Sequence, residues 1–155
     1  MKRISFVTSC CPEWSLEKIA LNCHHMGFSW VDLRTHSDEK HFAPTASAQE
    51  AQSIGVAFRK AGISILSLAC RYKFNRETSI EEIESLSILA ESMGARCLRI
   101  RAPVKNFQDF CRQASKAVAP RNVKLAFELA SHCLPSDVLQ KCFADLIPFL
   151  NVGLC

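Results

Sequence analysis

The stretch Met93–Ile100 reads MGARCLRI, and in it Gly94 separates two different patterns of apolar residues. Before the glycine, apolar residues in Ser79–Met93 recur with the three- and four-residue spacing of one helix face. After it, Cys97–Arg101 is a short apolar run of the length of a buried strand. Glycine is the usual residue just past a helix end. The stretch therefore predicts a helix that ends at Gly94 and leads directly into a strand.

The same arrangement recurs along the chain. Gly27, Gly62 and Gly94 follow one another at intervals of thirty-odd residues, and each precedes an apolar run. We predict strands at Ile4–Thr8, Trp30–Arg34, Ile63–Cys70, Cys97–Arg101, Val123–Leu129 and Asn151–Leu154. We predict helices at Ser15–Met26, Ser47–Ala61, Ser79–Met93, Asn106–Ala119 and Pro135–Ile147. Regular alternation of strand and helix indicates βαβ units around a parallel sheet.

Two architectures have this alternation, a doubly wound open sheet and a β/α barrel. The first strand is followed by Ser9–Trp14, SCCPEW, and no G-x-G-x-x-G or G-x-x-x-x-G-K-[ST] motif follows any strand. A glycine-rich phosphate loop, the usual mark of the doubly wound folds, is absent. The barrel is therefore favoured, although a complete (β/α)₈ barrel typically takes about 250 residues.

Length and composition place residues 1–155 in one globular domain. The chain is 48% hydrophobic and 22% charged, which excludes a disordered tail, a collagen-like repeat and a multi-domain enzyme. The net charge of +4 is mild and favours no class of partner. No run of about 18 apolar residues is present, so no membrane segment is expected.

The nine cysteines fit no disulfide or zinc framework, because no C-x-x-C occurs and Cys10 and Cys11 are adjacent. Cys23 and Cys111 lie among apolar residues, where cysteine acts as a small buried hydrophobe. We therefore expect reduced thiols and a cytoplasmic protein, with disulfides or a zinc site as the alternatives.

Several stretches resemble the xylose isomerase-like TIM barrel superfamily, which includes sugar phosphate isomerases and epimerases, inosose dehydratases and endonuclease IV. The segment Met26–Arg34, MGFSWVDLR, is similar to the second strand of those proteins, with Asp32 in place of the usual Glu. Other similar segments are Ile4–Phe6 with Pro12–Glu17, Met93–Ile100, Val123–Leu129 and Asn151–Cys155. The resemblance covers the chain in register and implies a partial TIM-type barrel of about six parallel strands and five helices.

The resemblance also implies a metal site. In the family, a Glu, an Asp, a His and a second Glu hold one divalent cation, Mn, Mg, Co or Zn, at the carboxyl mouth of the barrel. Glu128 matches the first ligand. The Asp would follow Cys155 by one or two residues, and the His and last Glu would come from strands seven and eight. We therefore expect a C-terminally short barrel, by nature or by truncation, whose site is incomplete.

Glu128 is the candidate catalytic residue and metal ligand, since a carboxylate in an apolar strand is costly unless it is paired or bound. The alternative is an ion pair with an arginine at a neighbouring strand end. The candidates for substrate binding are Arg34, Arg71, Arg99, Arg101 and His132. Ordinary salt bridges to Asp32 and Glu128 are the alternative role for the arginines.

The functional hypothesis is a metal-dependent isomerase or epimerase acting on a small sugar or sugar phosphate. With most ligands missing, it is expected to be inactive alone or completed by oligomerisation through the open edges of the barrel, as in a homodimer. One alternative is a non-enzymatic binding or assembly protein on the same scaffold. Another, the least supported, is a nucleic-acid role like that of endonuclease IV, because no His is predicted at the end of strand three or four.

Overall fold

The computed structural model describes residues 4–35, 41–70, 78–101 and 106–128, together with the backbone of 152–154. The strands are β1 (Ser5–Val7), β2 (Trp30–Thr35), β3 (Ser64–Cys70), β4 (Cys97–Arg101), β5 (Lys124–Glu128) and β6 (Val152–Leu154). The helices are α1 (Leu16–His25), α2 (Ala48–Lys60), α3 (Ile80–Met93) and α4 (Phe107–Val118), and a 3₁₀ turn spans Thr8–Cys10.

All six strands form one parallel sheet in the order β1-β2-β3-β4-β5-β6. Each strand lies next to its predecessor in the chain, and a helix connects each successive pair from β1 to β5. This is the topology of a partial TIM-type barrel, as the sequence predicts. The fifth predicted helix, Pro135–Ile147, lies outside the described residues.

The four described helices begin and end within a residue of where the sequence predicts. Ser47 and Glu50 at the start of α2 bond each other's backbone N–H groups in a capping box, and Ser79 and Glu82 do the same for α3. Beyond α3, Gly94 takes the left-handed conformation at φ +76°, which costs glycine little and other residues more. These local signals explain why sequence reasoning locates the helices to within about a residue.

The first strand ends sooner than predicted. Val7 is its last residue, and Thr8 begins the 3₁₀ turn although the predicted strand included it. The Arg34 backbone N–H donates to Thr8 Oγ1 at 2.9 Å. The Thr8 hydroxyl thus accepts the hydrogen bond from β2 that a backbone carbonyl would accept if β1 were longer.

The two faces of the sheet differ in chemistry. On the helix side, fully buried apolar side chains form the core with the inner faces of α1 to α4, and Leu33, Leu68, Leu98, Ile100 and Phe127 are among them. Because successive side chains in a strand point to opposite faces, the residues between them lie on the other, concave face. Within the described residues, no helix is long and apolar enough to cross a membrane.

Candidate functional site

The concave face of the sheet carries its side chains in rows that run across the strands. The lower row consists of residues paired in register, Val7, Asp32, Ser67, Cys97 and Lys124. Two residues further along each strand, the middle row consists of Arg34, Ala69, Arg99, Ala126 and Gly153. Above it, Arg101 pairs with Glu128 at the carboxyl edge of the sheet. Polar residues therefore converge on the barrel interior near its carboxyl mouth, where β/α barrels hold their active sites.

Asp32 is the most buried charged residue among those described, with 7% of its surface exposed. Ser5 Oγ donates to its Oδ2 and Ser67 Oγ donates to its Oδ1, each at 2.5 Å. These bonds offset much of the cost of burying a carboxylate. Among the described residues, Asp32 makes no ion pair with an arginine. Both carboxylate oxygens accept hydroxyl bonds instead, and the alternative of a salt bridge from Arg71, which lies outside the described residues, stays a prediction.

An irregularity in β3 creates this arrangement. Val31 pairs with Ile65 and Asp32 pairs with Ser67, so Leu66 has no partner on β2. Leu66 is 36% exposed, and its carbonyl accepts from the Arg96 N–H at 3.2 Å. The extra residue shifts Ser67 onto the concave face, within reach of Asp32.

The middle row brings together two of the predicted substrate-binding residues. Arg34 and Arg99 both pair with Ala69, one from each side, so their Cα atoms lie about 10 Å apart, twice the spacing of neighbouring strands. Both arginines are half-buried. Arg99 Nε is buried and has no hydrogen-bond partner in the described part of the chain.

Glu128 occupies the end of β5, as the sequence predicts, and is half-buried. Its register neighbour is Arg101, which is exposed. No hydrogen bond or ion pair of Glu128 is found within the described ranges. Its carboxylate thus lies at the mouth, and the described residues leave it available for a ligand. The other predicted site residues, Arg71 and His132, lie outside the described residues.

The described residues do not form a metal site by themselves. No group of three or more His, Cys, Asp or Glu side chains converges among them. Oxygen-bound divalent cations take about six ligands, of which proteins usually supply several. Glu128 can provide one. Further ligands would have to come from residues that the structure does not describe or from another molecule.

Loops at the carboxyl mouth are held to each other by hydrogen bonds that sequence reasoning did not predict. Thr35 Oγ1, at the end of β2, donates to the Phe42 carbonyl at 2.9 Å. The His41 ring bonds the Cys11 carbonyl through Nε2 at 3.0 Å. His41 also adopts φ +70°, which is unusual for a residue other than glycine. Its ring is thereby directed toward the loop after β1, and no local signal in the sequence indicates this.

The fold is similar to that of solved xylose isomerase-like TIM barrel proteins. A xylose isomerase domain-containing protein from Salmonella typhimurium matches 98% of this chain and 59% of its own, with a TM-score of 0.74 and 18% identity. D-psicose 3-epimerase matches 99% of this chain and 62% of its own, with a TM-score of 0.67 and 9% identity. A xylose isomerase-like protein from Mycobacterium smegmatis, solved with magnesium, matches 92% and 57%, with a TM-score of 0.64 and 13% identity.

These likenesses show a shared fold. The chain spans between 57% and 62% of the length of these three proteins. No family model and no curated protein sequence matches it. The site residues must therefore be judged on their own geometry.

Proposed function

We propose that this chain forms the first six strands of a metal-dependent isomerase or epimerase site for a small sugar or sugar phosphate. The observation that carries the proposal is the half-buried carboxylate of Glu128 at the end of β5, which none of the described residues binds, beside Arg101 and above the arginines of the middle row. Structural neighbours that include an epimerase and a magnesium-bound protein support it. We also propose a cytoplasmic location, because no disulfide bond is found among the cysteines that the structure describes.

The chemistry of such an enzyme is the exchange of a proton on the carbon beside a carbonyl group. That reaction needs a carboxylate near the carbon and positive charge near the oxygen that becomes negative. Glu128 supplies the carboxylate, either toward the proton or toward a cation. Arg99 and Arg101 lie on the same face of the neighbouring strand β4 and supply positive charge beside it. A bound divalent cation would add further polarisation of the carbonyl oxygen.

Calorimetric titration with Mn²⁺ tests the metal part of the proposal. The wild-type chain is expected to bind Mn²⁺ in the micromolar range, and Glu128→Gln to lose that binding at nearly constant side-chain volume. Glu84→Gln is the matched control, since Glu84 is an exposed carboxylate on α3, away from the mouth. Equal Mn²⁺ affinity in wild type and Glu128→Gln, or no binding by the wild type, overturns the assignment of Glu128 as a ligand.

Incorporation of solvent deuterium tests the reaction itself. A panel of ketoses, aldoses and their phosphates is incubated with the protein and Mn²⁺ in D₂O, and exchange of the carbon-bound hydrogen is followed by proton NMR. Exchange that depends on Glu128 supports the enzyme. Mn²⁺ binding without exchange on any substrate favours a binding role on the same scaffold.

The edges of the described sheet support a second candidate, an assembly role. β1 pairs only with β2, and β6 only with β5, within the described strands. An edge strand presents backbone groups that pair readily with another chain. We infer that two copies associate through these edges. Size-exclusion chromatography with light scattering is expected to give a dimer, and a monomer at 100 µM would contradict the inference.

A further inference from the structure

We propose that the end of the barrel opposite the carboxyl mouth binds the surface of an anionic lipid membrane. This end, the amino face, consists of the last turn of each described helix, its connection to the next strand and that strand's first residue. It comprises residues 22–30, 57–64, 90–97 and 115–124, together with residues 4 and 5. The proposal goes beyond the metal-dependent reaction and does not rest on it, because it uses neither Glu128 nor the arginines of the middle row.

The amino face is strongly basic. Its described part holds six lysine and arginine side chains against one carboxylate, that of Glu91. The six are Arg59, Lys60, Arg96, Lys116, Arg121 and Lys124, and all are exposed except the half-buried Arg121. The net charge of +4 for the whole chain conceals this concentration, because the first turns of the helices, at the opposite end, carry acidic residues.

Helix stabilisation explains only half of these basic positions. Positive charge in a last turn complements the partial negative charge at a helix end, which accounts for three of the six, Arg59, Lys60 and Lys116. The other three lie beyond the helices, in the connections or at the start of β5. Of these, Arg121 pairs with Glu91 at 3.6 Å, and the other two form no ion pair within the described residues. The charges of Arg96 and Lys124 therefore favour an anion outside the chain.

Arg96 shows how one of these charges is held in place without being neutralised. Its guanidinium group lies 4.3 Å from the centroid of the Trp30 ring. The face of an aromatic ring attracts a cation but carries no net charge. The Arg96 backbone N–H donates to the Leu66 carbonyl at 3.2 Å, which fixes the connection before β4. The guanidinium is thereby oriented at the surface, with its charge available to a phosphate.

Large apolar side chains lie on the same face as the charges. Ile4, directly before β1, is 62% exposed, and Met26, directly after α1, is 52% exposed. The headgroup region of a bilayer offers phosphates to basic side chains and an apolar boundary to residues such as these. The outer surface of a nucleic acid duplex offers phosphates without a comparable apolar layer. The combination of charge and exposed apolar surface therefore favours a lipid surface.

The spread of the charges also favours a wide partner. The six basic side chains are distributed over three helix-to-strand connections, whereas peptides are usually bound in one groove or along one strand edge. A membrane at the amino face leaves the candidate site open. Parallel strands begin at this face and end at the mouth, so Glu128 lies about 13 Å along β5 from Lys124.

Cosedimentation of the full chain with sucrose-loaded vesicles tests the proposal without metal or turnover. We expect phosphatidylcholine vesicles with about one-third phosphatidylserine to be bound at least tenfold more tightly than vesicles of phosphatidylcholine alone. Raising NaCl from about 0.05 M to about 0.5 M is expected to remove most of this difference, because salt screens exposed charges. Equal binding to the two kinds of vesicle overturns the proposal.

Paired substitutions locate the binding surface. Lys60→Gln combined with Lys116→Gln removes two charges from the amino face and is expected to weaken binding to the anionic vesicles at least tenfold. Lys18→Gln combined with Arg112→Gln is the matched control, since both residues are exposed and lie in the first halves of α1 and α4, toward the mouth. Circular dichroism confirms that each variant is folded. Unchanged binding by the first pair, or equal losses in both pairs, overturns the assignment to the amino face.

The kind of partner is tested by an apolar substitution and by competition. Met26→Ser is expected to weaken vesicle binding at least threefold, and Leu21→Ser, at a similarly exposed position of α1, to leave it unchanged. Polyglutamate and a DNA duplex are added as competitors at the same charge concentration as the lipid, and the vesicles are expected to retain the protein. Release of the protein by either competitor, or equal binding by Met26→Ser and Leu21→Ser, overturns a lipid surface as the partner.

Discussion

Gly55 on α2 lies so close to Met93 at the end of α3 that a β-carbon at position 55 would be 2.1 Å from the Met93 carbonyl oxygen. That oxygen also accepts from Arg59 Nη1 at 3.3 Å, one turn further along α2. The two helices therefore meet backbone to backbone, and the contact determines how the second and third β/α units pack together. Helix α3 leads directly into β4, which carries Arg99 and Arg101.

Gly55→Ala is expected to destabilise the protein by about 1–3 kcal/mol, because the methyl group forces the helices apart. The sign of the change in unfolding free energy is informative, because a glycine-to-alanine substitution in an exposed helix interior stabilises a protein by about 0.5–1 kcal/mol. Urea unfolding followed by circular dichroism measures it. Gln52→Ala, at an exposed position of the same helix, is the control and is expected to have little effect. Stabilisation by Gly55→Ala would contradict the close approach.

Ser67→Ala is expected to cost about 1–3 kcal/mol, because it removes one of the two hydroxyl donors to a buried carboxylate. Ser85→Ala on α3 is the control, since Ser85 is exposed and bonds only the backbone of its own helix. A double-mutant cycle with Asp32→Asn isolates the interaction. An additive double mutant would show that Ser67 and Asp32 do not interact in the folded protein.

The order of elements follows from residues that act locally. Glycines after the helices and serine caps before them determine where each element begins and ends, so the sequence predicts the helices and the parallel sheet. In the structure, Arg99 and Glu128 lie on the barrel side, as alternation along each strand requires. Their neighbours Leu98 and Phe127 are apolar and belong to the core.

The partners of Asp32 could not be predicted in the same way. A regular alternation through β3 would place Leu66 beside Asp32 on the concave face, and Ser67 on the helix side. Because Leu66 has no partner on β2, each side chain from Ser67 to the end of β3 lies on the face opposite to the one that regular alternation would give it. Such an irregularity depends on how two strands distant in the sequence pack, and no residue of β3 specifies it alone.

Cysteine reactivity is expected to differ by position. Cys10 is exposed, whereas Cys23 is buried between α1 and the sheet. Burial, together with the nearby Cys11, raises the pKa of the Cys23 thiol, so less of it is the reactive thiolate at neutral pH. Iodoacetamide at pH 7.5 should therefore alkylate Cys10 at least tenfold faster, as followed by peptide mass spectrometry. In guanidinium chloride the two rates should converge, and equal rates in the folded protein would contradict the burial of Cys23.

The capping box of α2 gives the protein a defined acid response. The backbone N–H and the hydroxyl of Ser47 both donate to Glu50, and they hold the pKa of that carboxyl below its ordinary value of 4.5. A carboxyl whose folded pKa is lowered stabilises the protein above its ordinary pKa, and the contribution is lost as pH falls through the lowered value.

Glu50→Gln keeps an acceptor in the box but removes the charge and its titration. The melting temperatures of wild type and Glu50→Gln should therefore differ most near pH 6 and converge toward pH 3. A difference that stays constant over this range would show that the Glu50 charge does not contribute to the cap.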